Sequence, residues 1–221
     1  MIQTFFFRFV SSIFLVMTVA FWLILTAEHL YLDQYKGVFF ILTAIIHVTI
    51  GGLCGYLIKR LHEGTFRDGL TGVGNRRYFY EKLSQEIKRS QSTHAPVSLV
   101  FIDIDNFKTV NDTFGHVQGD KVLVQMAVIF KEHIRGSDSL ARWGGEEFAI
   151  ILPDTDSEVA TIIAERLRGV IASFDFGCKV TISAGITGET GIIDIDKFVS
   201  MADGALYRAK VRKNFVVKYS S

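Results

Sequence analysis

Two carboxylates stand at the end of an apolar run near the middle of the chain. The run begins at Val97 and ends at Asp103-Ile104-Asp105, and its composition predicts a buried central strand. Side chains alternate along a strand, so Asp103 and Asp105 are expected to point to the same side. Paired carboxylates suit Mg²⁺, which prefers oxygen ligands. The alternative is structural, with an aspartate that caps the next helix or pairs with Lys108.

A second pair of acids, Glu146 and Glu147, directly follows two glycines. The flanking segments, residues 140–143 and 148–152, are predicted to be short strands, so the acids would lie at the tip of a hairpin. Glycine has no Cβ and lets the backbone approach a ligand closely. A plain glycine turn with solvated glutamates is the alternative for these residues alone.

The elements that must position these acids follow from hydrophobic periodicity. Spacings near 3.6 residues predict helices, and apolar runs or strict alternation predict strands. The helices are predicted at residues 77–90, 119–134, 158–173 and 195–211, and the longer strands at 97–105, 147–152 and 179–187. Helices that alternate with strands in this way indicate a sheet covered by helices.

The first quarter of the sequence predicts a membrane anchor. Residues 9–26 and 37–58 contain no Asp, Glu, Lys or Arg, and each is long enough for a bilayer core, which needs roughly 20 apolar residues. The first stretch exceeds the roughly 7 to 15 apolar residues of a signal peptide. The predicted organisation is a two-helix transmembrane hairpin over residues 1–58, a stalk helix over 59–67 and one globular domain over 68–221.

Charge bears on two further points. Arg8 precedes the first apolar stretch, and Lys59, Arg60 and Arg67 follow the second, which predicts that both termini lie in the cytoplasm. The net charge of the chain is +1, so the sequence has no basic excess for binding nucleic acid.

His47 lies in the middle of the second stretch and is either a functional group or a neutral histidine facing the helix bundle.

Five motifs in a fixed order resemble the GGDEF domain family of bacterial diguanylate cyclases. They cover residues 68–77, 103–112, 114–120, 144–148 and 202–210. The matching region, about Asp68 to Asn214, is most of the predicted globular domain. The resemblance implies an α+β, ferredoxin-like nucleotidyl-cyclase fold in which the acid-bearing strand lies beside the glycine hairpin.

The resemblance also implies a reaction, the condensation of two GTP molecules into cyclic di-GMP and two pyrophosphates. Two Mg²⁺ ions per active site, or Mn²⁺, would be ligated by Asp103, the carbonyl of Ile104, Glu146 and Glu147. Glu146, with Glu147 beside it, would help to remove the proton from the ribose 3′-hydroxyl. Two cations can activate the attacking oxygen and stabilise the leaving pyrophosphate.

The family's guanine-reading pair corresponds to Asn111 and Asp120. An amide and a carboxylate suit a base edge that offers both donors and acceptors. The structural alternatives are a helix or turn cap for Asn111 and a helix N-terminal charge for Asp120. His116 would line the nucleotide pocket or be structural.

The implied phosphate-binding groups lie in two segments. They are the backbone N–H groups of Asn106, Phe107 and Lys108, which open a helix, and the side chain of Lys210. After Lys210 the sequence departs from the family pattern of two residues and Gly-Arg before an asparagine, because only Val211, Arg212 and Lys213 precede Asn214: the segment is one residue shorter and has no glycine. The role of the family's arginine would fall to Arg212 or Lys213, and a lysine does not reproduce the bidentate grip of a guanidinium.

Regulation and partners are likewise implied by the resemblance. Arg135 and Asp138 match the arginine-x-x-aspartate site at which cyclic di-GMP inhibits many of these enzymes; an ordinary exposed ion pair is the alternative. Catalysis would require a homodimer, and the protein would be multi-pass in the bacterial inner membrane with its catalytic domain in the cytoplasm. The rival functions are a receptor that binds GTP or cyclic di-GMP without turnover, and a cyclase for an adenine-containing dinucleotide.

Overall fold

The structure, a computed structural model, describes residues 19–24, 36–64, 66–191 and 194–220. The chain divides into two compact units, Met1–Leu61 and His62–Ser221. The domain boundaries expected near residues 58 and 67 stay predictions.

The N-terminal unit contains a helical segment at residues 19–24 and most of helix α1, Lys36–Gly64. Many apolar side chains on α1 are exposed, and their spacing distributes them around the helix. They are Ile41, Leu42, Ile45, Ile46, Val48, Ile50, Leu53, Tyr56 and Leu57. The His47 Nδ1 atom lies 2.7 Å from the Thr43 carbonyl oxygen, and its ring contacts that of Phe21 at 5.2 Å.

The structure does not support the predicted transmembrane hairpin. Most of the first span, residues 9–26, lies outside the described residues, and the second span, residues 37–58, falls within α1. Over the part of the chain that is described, no helix combines the length and hydropathy that a membrane crossing requires.

The second unit is built on one six-stranded sheet with the order β1-β3-β4-β2-β5-β6. The strands are β1 Gly74–Asn75, β2 Val97–Ile104, β3 Ser139–Arg142, β4 Glu147–Pro153, β5 Ile182–Glu189 and β6 Val216–Lys218. β2 lies in the interior and pairs antiparallel with both β4 and β5. The helices are α2 Arg76–Thr93, α3 Phe107–Phe114, α4 His116–Glu132, α5 Ser157–Ser173 and α6 Ile195–Arg212.

Apolar layers cover both faces of the sheet, and the alternation of β2 explains why. Val100 and Ile102 pack in the cluster that includes residues of α4 and α5, whereas Leu99 and Phe101 pack in the cluster formed with α2 and α6. All eight residues of β2 are buried, as expected for a strand covered on both sides. The predicted α+β class and the central strand are confirmed.

Helix α6 lies unusually close to β5 because of Gly185. A Cβ at this position would lie 2.0 Å from the Leu206 nitrogen and 2.4 Å from the Ala202 carbonyl oxygen. Glycine is therefore required for this helix to approach the strand. The close packing fixes the height of α6 over the sheet and so positions Lys210 at its C-terminal end.

Candidate active site

The acid-bearing strand and the glycine hairpin lie side by side. In the antiparallel register of β2 and β4, Asp103 is the partner of Glu147. The backbone N–H of Ile104 also donates to the Glu146 carbonyl oxygen at 3.4 Å. Residues that are about 43 positions apart in sequence therefore meet at one end of the sheet, where the charges of Glu146 and Glu147 act on the Asp103 carboxylate.

Lys210 faces the Asp103 carboxylate. The Lys210 ammonium lies 2.7 Å from Asp103 Oδ2. Burial raises the pKa of Asp103 above its ordinary value, and the charges of Glu146 and Glu147 raise it further, against the opposing effect of Lys210. Burial lowers the pKa of Lys210, but the hydrogen bond and charge of Asp103, aided by both glutamates, outweigh it and the net shift is upward. The site thus concentrates negative charge and already attracts a cation.

The two aspartates of the motif have different surroundings. Asp105 Oδ1 accepts from the Ser183 hydroxyl at 2.7 Å, and its Oδ2 accepts from the Thr181 hydroxyl and the Asn214 backbone N–H, each at 2.7 Å. These three donors occupy the carboxylate. Asp105 therefore anchors the segment after α6, and it is not among the metal ligands that the resemblance implies.

Asp103 and the two glutamates fit a divalent cation by their chemistry. Hard cations take carboxylate and carbonyl oxygens as ligands, and the Lys210 ammonium already occupies a cation position against Asp103. Over the described residues, no group of three or more His, Cys, Asp or Glu side chains is arranged closely enough to hold a metal ion. The ligand set of Asp103, Ile104, Glu146 and Glu147 stays a prediction.

Arg142 holds the tip of the hairpin, a role that was not predicted from the sequence. Its Nε and Nη2 atoms donate to the Gly145 carbonyl oxygen at 3.0 and 2.6 Å, while Nη1 donates to Asp68 Oδ1 at 3.1 Å. Asp68 Oδ1 also accepts from the Thr71 backbone and hydroxyl. The sequence signal for this contact is an arginine just before a glycine turn. The guanidinium group carries several N–H donors and can bind two acceptors at once.

The Glu147 carboxylate folds back over the glycine turn. A Cβ on Gly144 would lie 2.7 Å from Glu147 Oε2, which is the end of a flexible side chain and can move aside. Gly145 has nothing within 4 Å of the equivalent position, and this side of the turn is open to a ligand.

The proposed guanine-reading residues come from two helices that pack tightly. Asn111 lies on α3 and Asp120 on α4. A Cβ on Gly119 would lie 1.9 Å from Asn111 Oδ1, so this glycine allows the two helices to approach. Asn111 is half-buried, whereas Asp120 and His116 are exposed. The three predicted residues therefore lie on α3 and α4, and their roles stay predictions.

The predicted phosphate-binding turn begins helix α3. Asn106 has φ 55° and makes no side-chain cap to the helix, which leaves the first N–H groups of α3, those of Phe107 and Lys108, without the usual capping acceptor. The Asn106 Oδ1 atom instead accepts from the Lys213 ammonium at 2.6 Å. This turn and the residues after α6 therefore form one surface.

Arg135 and Asp138 form a tight turn between α4 and β3. The Arg135 N–H donates to Asp138 Oδ2 at 2.8 Å, and the Asp138 N–H donates to the Arg135 carbonyl oxygen at 3.0 Å. Burial raises the pKa of Asp138 despite the opposing effect of Arg135. Both residues line a cavity of about 490 Å³ that two further cations, Arg67 and Lys131, also line.

The fold and the site define a class of protein. An α+β domain with a buried aspartate beside a hairpin that carries two glutamates is the arrangement expected of a nucleotide cyclase. The family described as "Diguanylate cyclase, GGDEF domain" matches residues 65–214. The chain belongs to this GGDEF domain family, as the resemblance had indicated.

Curated relatives are mostly longer proteins that contain this domain. Diguanylate cyclase DgcP of Pseudomonas aeruginosa is 43% identical over 148 residues, which are 65% of this chain and 22% of DgcP. Response regulator PleD of Caulobacter vibrioides is 41% identical over 159 residues, or 68% of this chain and 35% of PleD. The chain thus spans about a fifth to a third of the length of these relatives.

Solved structures share the fold over nearly their whole length. The GGDEF domain of DgcB from Caulobacter crescentus, in complex with c-di-GMP, has a TM-score of 0.67 at 30% identity and covers 71% of this chain and 94% of its own. The active GGEEF domain of a diguanylate cyclase from Vibrio cholerae has a TM-score of 0.63 at 36% identity. The match covers 66% of this chain and 97% of the Vibrio cholerae chain.

Proposed function

We propose that this protein is a diguanylate cyclase, which joins two GTP molecules into cyclic di-GMP and releases two pyrophosphates. The observation that carries the proposal is the strand register that brings Asp103 and Glu147 together, with Glu146 and Lys210 beside them. The names of relatives support it, since one is diguanylate cyclase DgcP and another, from Escherichia coli, is probable diguanylate cyclase DgcT.

In this proposal the acids hold metal ions. Two divalent ions, Mg²⁺ or Mn²⁺, would be bound by Asp103, the Ile104 carbonyl, Glu146 and Glu147, and would supply the charge that activates the attacking oxygen and stabilises pyrophosphate. Glu146 accepts the proton of the ribose 3′-hydroxyl. Lys210 exchanges its contact with Asp103 for a phosphate oxygen when substrate binds.

The base and the phosphates bind to helices α3 and α4. The Asp120 carboxylate accepts from the N1 and N2 groups of guanine, and the Asn111 amide contacts the same base edge. Adenine carries an acceptor at N1, so Asp120 favours GTP over ATP. The N–H groups of Asn106, Phe107 and Lys108 bind the phosphates at the start of α3, and His116 borders the pocket.

Each domain binds one GTP, so the reaction requires a homodimer in which two sites face each other. The 3′-hydroxyl held by one chain attacks the α-phosphate held by the other. This requirement follows from the product, in which each nucleotide is both nucleophile and electrophile.

Product feedback is a further part of the proposal. Cyclic di-GMP would bind at Arg135 and Asp138, where a guanidinium can meet a phosphate or a guanine edge. Arg135→Ala is expected to keep GTP turnover while raising the concentration of added cyclic di-GMP that halves the rate. Equal inhibition of the variant and the wild type would refute this site.

Membrane attachment also remains a proposal, and it rests on the uncharged residues 37–58 and on the exposed apolar side chains of α1. The protein expressed in bacteria is expected in the membrane pellet and to stay there after an alkaline wash. Recovery in the supernatant would contradict the proposal.

The enzymatic proposal is tested with the full 221-residue chain in a mild detergent, incubated with Mg²⁺ and an equimolar mixture of GTP and ATP. Chromatography is expected to separate cyclic di-GMP as the main product, and Glu146→Gln is expected to yield none. Tight GTP binding without any product would favour the receptor function, and adenine in the product would favour the rival cyclase.

A further inference from the structure

The connection between α6 and β6 is strained. Lys213 has φ 55° and ψ 156°, and the next residue, Asn214, has φ 46°. Glycine occupies the first of these regions readily, whereas a residue with a Cβ does so only when its surroundings hold it there. The sequence has no glycine in this connection, so other contacts must hold the strain.

Buried and charged groups fix the backbone of the connection. The Asn214 N–H donates to Asp105 Oδ2 at 2.7 Å, and the Asn214 side-chain oxygen accepts from Arg168 on α5 at 2.9 Å. The Lys213 N–H donates to the Ala209 carbonyl oxygen at 3.0 Å. These contacts fix the backbone on both sides of Lys213. The direction in which its side chain leaves the backbone is therefore fixed as well.

The strained backbone aims Lys213 at the phosphate-binding turn. Its ammonium lies 2.6 Å from Asn106 Oδ1, and both residues are exposed and accessible to a ligand. Lys210, one helical turn earlier, lies against Asp103. Two ammonium groups therefore reach the site from the end of α6, one toward the acids and one toward the start of α3.

The neighbouring cation, Arg212, packs on an aromatic ring and does not contact the phosphate-binding turn. Its guanidinium carbon lies 3.9 Å from the centroid of the Phe215 ring, which is a favourable cation–π contact. A move toward the turn at Asn106 would break that contact.

We propose that Lys213, and not Arg212, is the second cation of the triphosphate-binding site, and that the strained connection after α6 exists to deliver it. The proposal rests on GTP as substrate and names a residue that binds it. When GTP binds, the Lys213 ammonium exchanges Asn106 Oδ1 for a phosphate oxygen. Lysine acts here as a point charge, without bidentate geometry.

The test measures binding to the full-length protein by equilibrium dialysis with 3′-deoxy-GTP, which lacks the attacking hydroxyl and cannot react, and with 3′-deoxy-GMP. Lys213→Ala is expected to weaken binding of the triphosphate about tenfold and to leave binding of the monophosphate nearly unchanged. Lys213→Arg should restore the affinity because it keeps the charge. Arg212→Ala, the matched control one residue away, should bind both nucleotides as the wild type does.

Lys213→Gly separates the strain from the charge. It should bind the triphosphate as weakly as Lys213→Ala, yet its melting temperature should exceed that of Lys213→Ala by about 2–6 °C because the strain is relieved. Equal melting temperatures would overturn the role given to the strain. Unchanged triphosphate binding in Lys213→Ala, or a loss in Arg212→Ala instead, would overturn the assignment of Lys213. Failure of the wild type to bind 3′-deoxy-GTP would overturn the proposed function itself.

Discussion

At the scale of single residues, Asp103 and Asp105 show what sequence can and cannot resolve. Strand alternation places both carboxylates on one side of β2, and the sequence predicts as much. The donors that occupy Asp105 lie 76 to 109 positions away along the chain, and no local pattern indicates which aspartate they reach. The difference between Asp103, which faces Lys210, and Asp105, which anchors the segment after α6, therefore required the tertiary structure.

Asp105→Asn tests the anchoring role. The amide cannot accept three hydrogen bonds in the same geometry and sets its own N–H group against a donor, so the free energy of unfolding should fall by about 2–3 kcal/mol. Urea denaturation measures the change. Glu146→Gln, a partly exposed residue of the same site, is the control and should change stability by less than about 0.5 kcal/mol. Equal effects of the two substitutions would contradict the anchoring role.

Asp68, which joins the start of the domain to the hairpin clamp, predicts a pH dependence. Burial raises its pKa, but hydrogen bonds from Thr71 and the contact with Arg142 outweigh burial, and the net shift is downward. A carboxyl group with a lowered folded pKa stabilises the fold above its ordinary pKa, and this stabilisation is lost as the pH falls through the folded pKa.

Asp68→Asn should therefore lower the free energy of unfolding by about 1 kcal/mol at pH 7, with a smaller difference from the wild type near pH 3. Urea denaturation at the two pH values measures this. A deficit that is the same at both values would mean that ionised Asp68 is not the stabilising form.

At the scale of elements, the long helices and strands with a regular apolar pattern were predicted well from the sequence, and the short ones were not. The helices at 76–93, 157–173 and 195–212 and the strand at 97–104 were predicted to within a few residues, because each buries a regular apolar face. Periodicity did not predict helix α3, which has eight residues and buries only Phe107 and Val110, although the resemblance implied a helix that opens at residues 106–108. Strands β1 and β6 were missed because they have two and three residues and pair with distant segments.

The close packing of α6 on β5 at Gly185 predicts how substitutions change stability. Gly185→Ala forces a Cβ into the backbone of α6 and should destabilise the domain by about 1–3 kcal/mol, with a weaker apparent affinity for GTP because Lys210 is displaced. Gly204→Ala, in α6 itself, meets nothing within 4 Å and should stabilise the helix by about 0.5–1 kcal/mol. Thermal unfolding of both variants measures the contrast; destabilisation by both, to the same degree, would argue against close packing at Gly185.

At the scale of the whole molecule, the sequence predicted a globular domain with the acids at one end of a sheet. The five ordered motifs indicated the family to which the chain belongs. The clamp by Arg142 and the strained segment at Lys213 were not predicted, since each depends on contacts between loops. The transmembrane hairpin, which rested on hydropathy, is the large-scale prediction that the structure leaves without support.

The proposed homodimer predicts how activity depends on protein concentration. In the proposed reaction two chains each contribute one GTP, so the rate per chain should fall on dilution once the concentration drops below the dimer dissociation constant. Initial rates across a hundredfold dilution series, with sedimentation at the same concentrations, measure this. A rate per chain that stays constant in samples shown to be monomeric would contradict a two-chain active site.

The most direct test of the central claim is the stoichiometry of the reaction. Pyrophosphate and cyclic di-GMP are quantified together while the full-length protein consumes GTP. The cyclase account predicts two pyrophosphates for each cyclic di-GMP, with both products absent in Asp103→Asn. Consumption of GTP that releases orthophosphate, or pyrophosphate without the cyclic dinucleotide, would contradict it.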